Sequence, residues 1–216
     1  MNKDKIIQSA IRTIELETNA VSGLKSFIDA DFVKAVENIA NSKGRLIVSG
    51  IGKSAVIAQK IVATLNSTGT PSIFMHAADA IHGDLGMIQA DDIVLVISKS
   101  GDSPEIKVLA PLVKNFGNTL VGMVGNMQSF LALNSDIVLN TTIEQEACPI
   151  NLAPTSSTTA QMVMGDALAV CLMEKKGFSS NDFAKYHPGG TLRKKLYLRV
   201  ADLAAQNAKP KVLPTA

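Results

Sequence analysis

The chain has 216 residues, 46% of them hydrophobic and 19% charged, which fits one folded domain, or a domain with a short extension, and not a disordered segment. A net charge of +2, with no run of Lys or Arg longer than two, gives no argument for nucleic acid. Cys148 and Cys171 alone make no disulfide framework and point to a reducing cytoplasm, and no apolar run reaches the ~18 residues of a membrane span.

The N-terminus, Met1-Asn2-Lys3-Asp4-Lys5, leads into an amphipathic segment instead of an apolar signal core. Ile6, Ile7, Ala10, Ile11 and Ile14 recur at helical spacing, as do Phe32, Val33, Val36, Ile39 and Ala40, so two helices are expected before the first strand. After Gly44 short apolar strands alternate with helices. The strands are expected at 46–49, 72–75, 93–98, 120–124 and 137–140. The helices are expected at 54–67, 77–82, 104–116, 129–134 and 158–176, with a short one at 180–186. This alternation implies a parallel sheet covered on both faces. The segment 141–157, about 17 residues with neither period, is long enough to be a functional loop. The tail after Asp202 is expected to fray.

The strand Ile93-Val94-Leu95-Val96-Ile97 runs into Ser98-Lys99-Ser100-Gly101-Asp102-Ser103-Pro104-Glu105. Pro104 suits the first position of a helix, and a hydroxyl-rich turn at a helix start suits a phosphate. Glu105 adds a carboxylate one turn away. Gly50-Ile51-Gly52-Lys53-Ser54 follows the first strand. It is not a Walker loop, because the required earlier Gly is Ile47, and it is not a dinucleotide fingerprint, because Ala55 stands at its third glycine. With a 2-1-3-4-5 strand order, these two turns would face each other at the carboxyl ends of the first and third strands.

His76 and His82 lack the spacing and the acidic or Cys partners of a zinc site. His187 precedes Pro188-Gly189-Gly190, a rigid break that can present an imidazole or simply lie at the surface. Glu144 and Glu146 lie in the long loop, where both can be solvated. Thr155, Ser156, Ser157 and Thr158 open the last long helix, either as caps or as a second set of anion donors.

These stretches closely resemble the sugar isomerase (SIS) domain and, within it, the arabinose-5-phosphate isomerases. The resemblance runs from about Ser49 to Leu192. Its narrower signals are His82-Gly83-Asp84-Leu85-Gly86-Met87 and Glu146-Ala147-Cys148-Pro149. It implies a three-layer α/β/α sandwich with a five-stranded parallel sheet, a tetramer, and interconversion of D-ribulose 5-phosphate and D-arabinose 5-phosphate for Kdo and lipopolysaccharide synthesis. It assigns catalysis to Lys53, Glu105, Glu146 and His187. Substrate contacts fall on Gly69, Thr70, His76 and His82, and His76 also matches a position for inhibitory zinc. Relatives often continue into a paired CBS module, and this sequence ends before one. They commonly read His-Pro-Ala-Gly where this chain has His187-Pro188-Gly189-Gly190.

The chemistry expected is a proton shift between C1 and C2 through an enediol, with no cofactor. Glu105 and His187 would share the acid–base work, and Lys53 would neutralise the enediolate oxygen. Gly52, Ser54, Ser98, Ser100, Ser103 and the 155–158 hydroxyls would hold the phosphate. The crevice, rich in groups that donate to an anion, suggests inhibition by CMP-Kdo. Two other readings stay open: a non-catalytic SIS module that senses sugar phosphates, and an isomerase for a hexosamine or heptose phosphate.

Overall fold

Every residue of the strands Leu46–Gly50 (β1) and Ile93–Ser98 (β3) is buried, as a strand covered on both faces requires. The computed structural model describes residues 1–187. Its remaining strands are Ser72–His76 (β2), Thr119–Val124 (β4) and Ile137–Asn140 (β5). All five pair in parallel in the order β2-β1-β3-β4-β5, the flavodoxin-like order expected.

Alternation along the strands divides the interior into two cores. Leu46, Val48, Leu95, Ile97, Val121 and Met123 face one side. There they meet Ala30–Asn41 (α2), Lys53–Ser67 (α3) and Ser156–Lys175 (α7). Ile47, Val94, Val96, Leu120 and Val124 face the other. There they meet Ala77–Ala80 (α4), Pro104–Asn115 (α5) and Phe130–Asn134 (α6). The result is a three-layer α/β/α sandwich. Leu95 and Ile97 are fully enclosed, so truncating either to Ala would cost about 2–5 kcal/mol.

Side chains set the local boundaries. Asp29 caps α2 by accepting the Asp31 and Phe32 N–H groups, and Ser129 caps α6 through the Ala132 N–H. Buried Asp92 ties the starts of β1 and β3 together. It accepts the Arg45 N–H at 2.7 Å and the Arg45 guanidinium at 2.7 Å. The segment expected as a helix over 77–82 stops at Ala80. Gly83, at φ +128°, breaks it, and Asp84–Met87 form a separate 3-10 turn.

Lys3–Gly23 (α1) runs along α7 and buries none of its residues completely. Ile6, Ile7, Ile11 and Ile14 are exposed on it. The chain divides after Gly177 into two compact units. The described part of the second holds Ser180–Tyr186 (α8), opened by a reciprocal Ser179–Asp182 capping box. Pro188-Gly189-Gly190 and the tail from 193 to 216 lie outside the described residues.

Candidate active site

β1 and β3 are neighbours, yet the chain leaves them on opposite faces: α3 follows β1 into one core and α5 follows β3 into the other. That divergence opens a crevice at their carboxyl ends, where open parallel sheets place ligands. Gly50 is in register with Ile97 on one side and His76 on the other. The turns after β1, β2 and β3 therefore share one rim.

After β1, Gly52 turns the chain into α3 at φ +58°, a left-handed conformation that favours glycine. Lys53 is exposed and makes no hydrogen bond or ion pair among the described residues. The Ser54 hydroxyl donates to Gln161 Oε1 at 3.3 Å.

The turn after β3 is held internally. Ser98 Oγ accepts the Gly101 N–H at 3.0 Å. Gly101 has φ +68°, and a Cβ there would lie 2.1 Å from Ser129 Oγ, so the position admits only glycine. Ser100 Oγ takes a long contact from the Asp102 N–H at 3.4 Å. Ser103 stands at the N-cap of α5 without capping it, its hydroxyl buried and without a partner among the described residues. Glu105 follows in the first turn, half-buried and without a hydrogen-bonding partner among the described residues.

The long loop is organised around Glu146, which is 1% exposed and so departs from the solvated alternative, while Glu144 is exposed. One carboxylate oxygen accepts from Lys99 Nζ at 2.6 Å and Ser157 Oγ at 2.5 Å. The other accepts the N–H groups of Thr155 at 2.8 Å and Ser157 at 3.1 Å, and Thr155 Oγ1 at 3.2 Å. Burial pushes this carboxyl's pKa up. The Lys99 ammonium, the Ser157 hydroxyl and the two N–H groups outweigh it and hold the pKa down at about 2.

Glu146 thus caps α7, which begins at Ser156 and not at Thr158. This bears on the 155–158 hydroxyls expected to hold a ligand phosphate. The hydroxyls of Thr155 and Ser157 serve Glu146, Ser156 is fully enclosed, and Thr158, half-exposed at the crevice, donates its hydroxyl to the Thr155 carbonyl at 2.8 Å.

The crevice is a cavity of about 370 Å³ that reaches Lys53, Ser54, Ser98, Lys99, Ser100, Ser103, Thr158 and Gln161. Among the described residues lining it, the titratable groups are the two lysines, so it suits an anion. A slightly larger cavity of about 410 Å³, between α1 and residues 142–145, offers only exposed Glu144 as a charge.

His76 closes β2 beside Gly50. Its Nδ1 lies 3.7 Å from Asp79, beyond hydrogen-bonding distance. Exposed His82 follows α4. Among the described residues no cluster of His, Cys, Asp and Glu could hold a metal. Gly69 and Thr70 precede β2 and so lie at the amino ends of the strands, opposite the crevice. Thr70 is 2% exposed and its hydroxyl accepts from Lys176. Within one subunit that pair is not brought to the site.

His187 belongs to the second unit. Its ring stacks on Phe183 at 3.8 Å, and its Nδ1 lies 2.9 Å from the Phe183 carbonyl. Sequence reasoning missed Lys99 and Gln161. Lys99 stands inside the hydroxyl-rich turn, where the sequence alone gave it no role. Gln161 carries only a helical signal, one turn beyond Ser157 on α7.

The family model of the SIS domain matches residues 38–171. Arabinose 5-phosphate isomerase KdsD of Pseudomonas aeruginosa is 54% identical over 197 residues, covering 91% of this chain and 60% of that protein. Arabinose 5-phosphate isomerase KpsF of Escherichia coli O6:H1 is 48% identical over 199 residues, covering 92% and 61%. This chain thus spans about three fifths of the length of the curated relatives it matches. A structure of an Escherichia coli CFT073 protein in complex with arabinose 5-phosphate superposes with a TM-score of 0.81 at 38% identity, covering 87% of this chain and all of that one.

Proposed function

The chain belongs to the SIS domain family, and from that premise we propose that it interconverts D-ribulose 5-phosphate and D-arabinose 5-phosphate through an enediol. The observation that carries this reading is the crevice at the β1–β3 switch point, lined by two lysines and a hydroxyl-rich turn. The relatives named arabinose 5-phosphate isomerase and the likeness to a chain in complex with arabinose 5-phosphate support it.

In the reaction proposed, a base takes the proton from C2 of the aldose and the electron pair forms the enediolate. A proton is then delivered to C1 while another moves between the two oxygens, so the step is redox-neutral overall. Glu105 and His187 share these transfers. Lys53, exposed and without a partner among the described residues, brings its ammonium to where charge builds on oxygen, a contribution of roughly 3 kcal/mol. Glu146 acts by position: fully engaged as a carboxylate, it holds Lys99 and the start of α7 around the phosphate. His76 and His82 line the rim toward the sugar, and inhibitory zinc would take His76.

On the same reading the enzyme is cytoplasmic and supplies Kdo and lipopolysaccharide synthesis. It assembles as a homotetramer through the isoleucine stripe of α1, with composite sites in which a neighbouring subunit brings His187 to the crevice. CMP-Kdo, which carries a sugar acid and a phosphate, competes for the same cationic crevice. Added ribulose 5-phosphate should reverse that inhibition.

Incubating the purified protein with D-ribulose 5-phosphate and identifying the sugar formed tests the central reading. Arabinose 5-phosphate is expected. Formation of no aldose, with the sugar phosphate still bound, would favour the non-catalytic sensor instead. A hexosamine or heptose phosphate turned over in its place would redirect the substrate.

A further inference from the structure

Gln161 is 1% exposed, in the second turn of α7, yet it lines the crevice. Its Oε1 accepts from Ser54, while its Nε2 is buried and has no partner among the described residues. A buried amide nitrogen without an acceptor is a liability that folded proteins rarely keep without a reason.

The surroundings say what would satisfy it. The N–H groups of Thr155 and Ser157 already serve Glu146, so the start of α7 does not offer them to a ligand. The next donor along the helix face is Gln161 Nε2, one turn beyond Ser157. Lys53, Lys99 and the Ser103 hydroxyl, which has no partner among the described residues, line the same cavity. An amide nitrogen and two ammonium groups only donate, and the hydroxyl can join them as a donor. The group that fits among them is anionic and all acceptor.

We propose that Gln161 is a ligand-binding residue whose Nε2 donates to a phosphoryl oxygen of the bound sugar phosphate. Ser54 holds the amide at its Oε1 end. The proposal rests on reading the crevice as a sugar-phosphate site.

Gln161→Leu removes the donor at nearly constant volume, and Gln161→Glu replaces it with an acceptor-only carboxylate. Both are compared with the unaltered protein by titration with D-arabinose 5-phosphate and, separately, with inorganic phosphate. Thermal unfolding of the ligand-free proteins is measured alongside. Gln161→Leu should bind both probes about tenfold more weakly, the loss expected for one hydrogen bond to a charged group. Its Tm should be unchanged or higher, because the unsatisfied amide is gone. Gln161→Glu should bind both probes more weakly still.

Unchanged affinity for inorganic phosphate in Gln161→Leu would overturn the proposal, even if arabinose 5-phosphate weakened. So would a Gln161→Glu protein that binds as well as the unaltered one, or a lowered Tm with intact affinity. An unaltered protein that binds neither probe would instead overturn the reading of the crevice itself.

Discussion

Lys99 and Glu146 meet at 2.6 Å although they stand 47 residues apart in the chain. The carboxylate is fully enclosed and the lysine side chain is 44% exposed. One sits in the turn after β3, the other in the loop before α7, so the pair ties the two walls of the crevice. Glu146 satisfies five donors and Lys99 supplies one of them. Glu146→Leu should therefore destabilise by about 3 kcal/mol, and Lys99→Met by only about 1–2 kcal/mol. Urea unfolding of both variants and of the double variant would show the coupling. Additive effects would mean that the pair does not bind the walls together.

The same carboxylate makes stability depend on pH. Its pKa is about 2 when folded against an ordinary 4.5, so the stability it adds is complete above about 4.5. That stability drains away as pH falls toward 2, with about 2 kcal/mol gone by pH 3. Denaturant midpoints taken from pH 6 to pH 3 should fall for the unaltered protein. In Glu146→Gln the fall should be shallower, with the difference confined below pH 4.5.

Lys53 and Glu105 make no hydrogen bond or ion pair among the described residues, so removing either should leave the fold intact. Lys53→Met is expected to lower kcat by about 100-fold. Glu105→Gln and His187→Ala should each abolish most turnover with an unchanged circular dichroism spectrum. If Glu105→Gln and His187→Ala both kept kcat within about threefold, a loss under ~1 kcal/mol, their acid–base roles would have to be dropped.

The α3–α7 seam offers a test of the fold beneath the site. A Cβ at Gly165 would come within 2.3 Å of Ile61 Cδ1 and 2.5 Å of its Cγ1, and Ile61 is fully enclosed. Gly165→Ala should cost about 1–3 kcal/mol in overpacking, despite alanine's better helix propensity. A thermal melt at or above that of the unaltered protein would mean that Ile61 can move aside.

Assembly is open to light scattering. Four exposed isoleucines on α1 are expected to be covered in a tetramer, and Ile7→Lys with Ile14→Lys should dissociate it. An active monomer at micromolar concentration would exclude any residue arriving from a neighbour.

Strand positions were legible because burial on both faces leaves continuous apolar runs such as Ile93–Ile97, whereas the sheet order could only be assumed. The hydroxyl-rich turn was legible from Ser98, Gly101 and Pro104. Two further things were not. The start of α7 depends on Glu146, nine residues before Thr155, and no local pattern shows that a loop carboxylate will fold back onto a helix end. Gln161 reads as one more polar residue in a helix of mixed composition until the packing of Ser54 against it is seen. The Gly69-Thr70 motif carries chemistry without saying which end of the sheet it occupies, and within one subunit that is the end opposite the crevice.

The place of β1 between β2 and β3 also bears on how the chain is made. It hydrogen-bonds β2 and β3, but β3 is synthesised only after α3 and β2 have followed it. During translation, at roughly 5–20 residues per second, one side of Leu46–Gly50 must wait as an open edge of unpaired backbone N–H and C=O groups. Pairings between segments this distant make for slow folding. Nascent chains truncated before Ile93 should therefore be the species that chaperones hold most tightly.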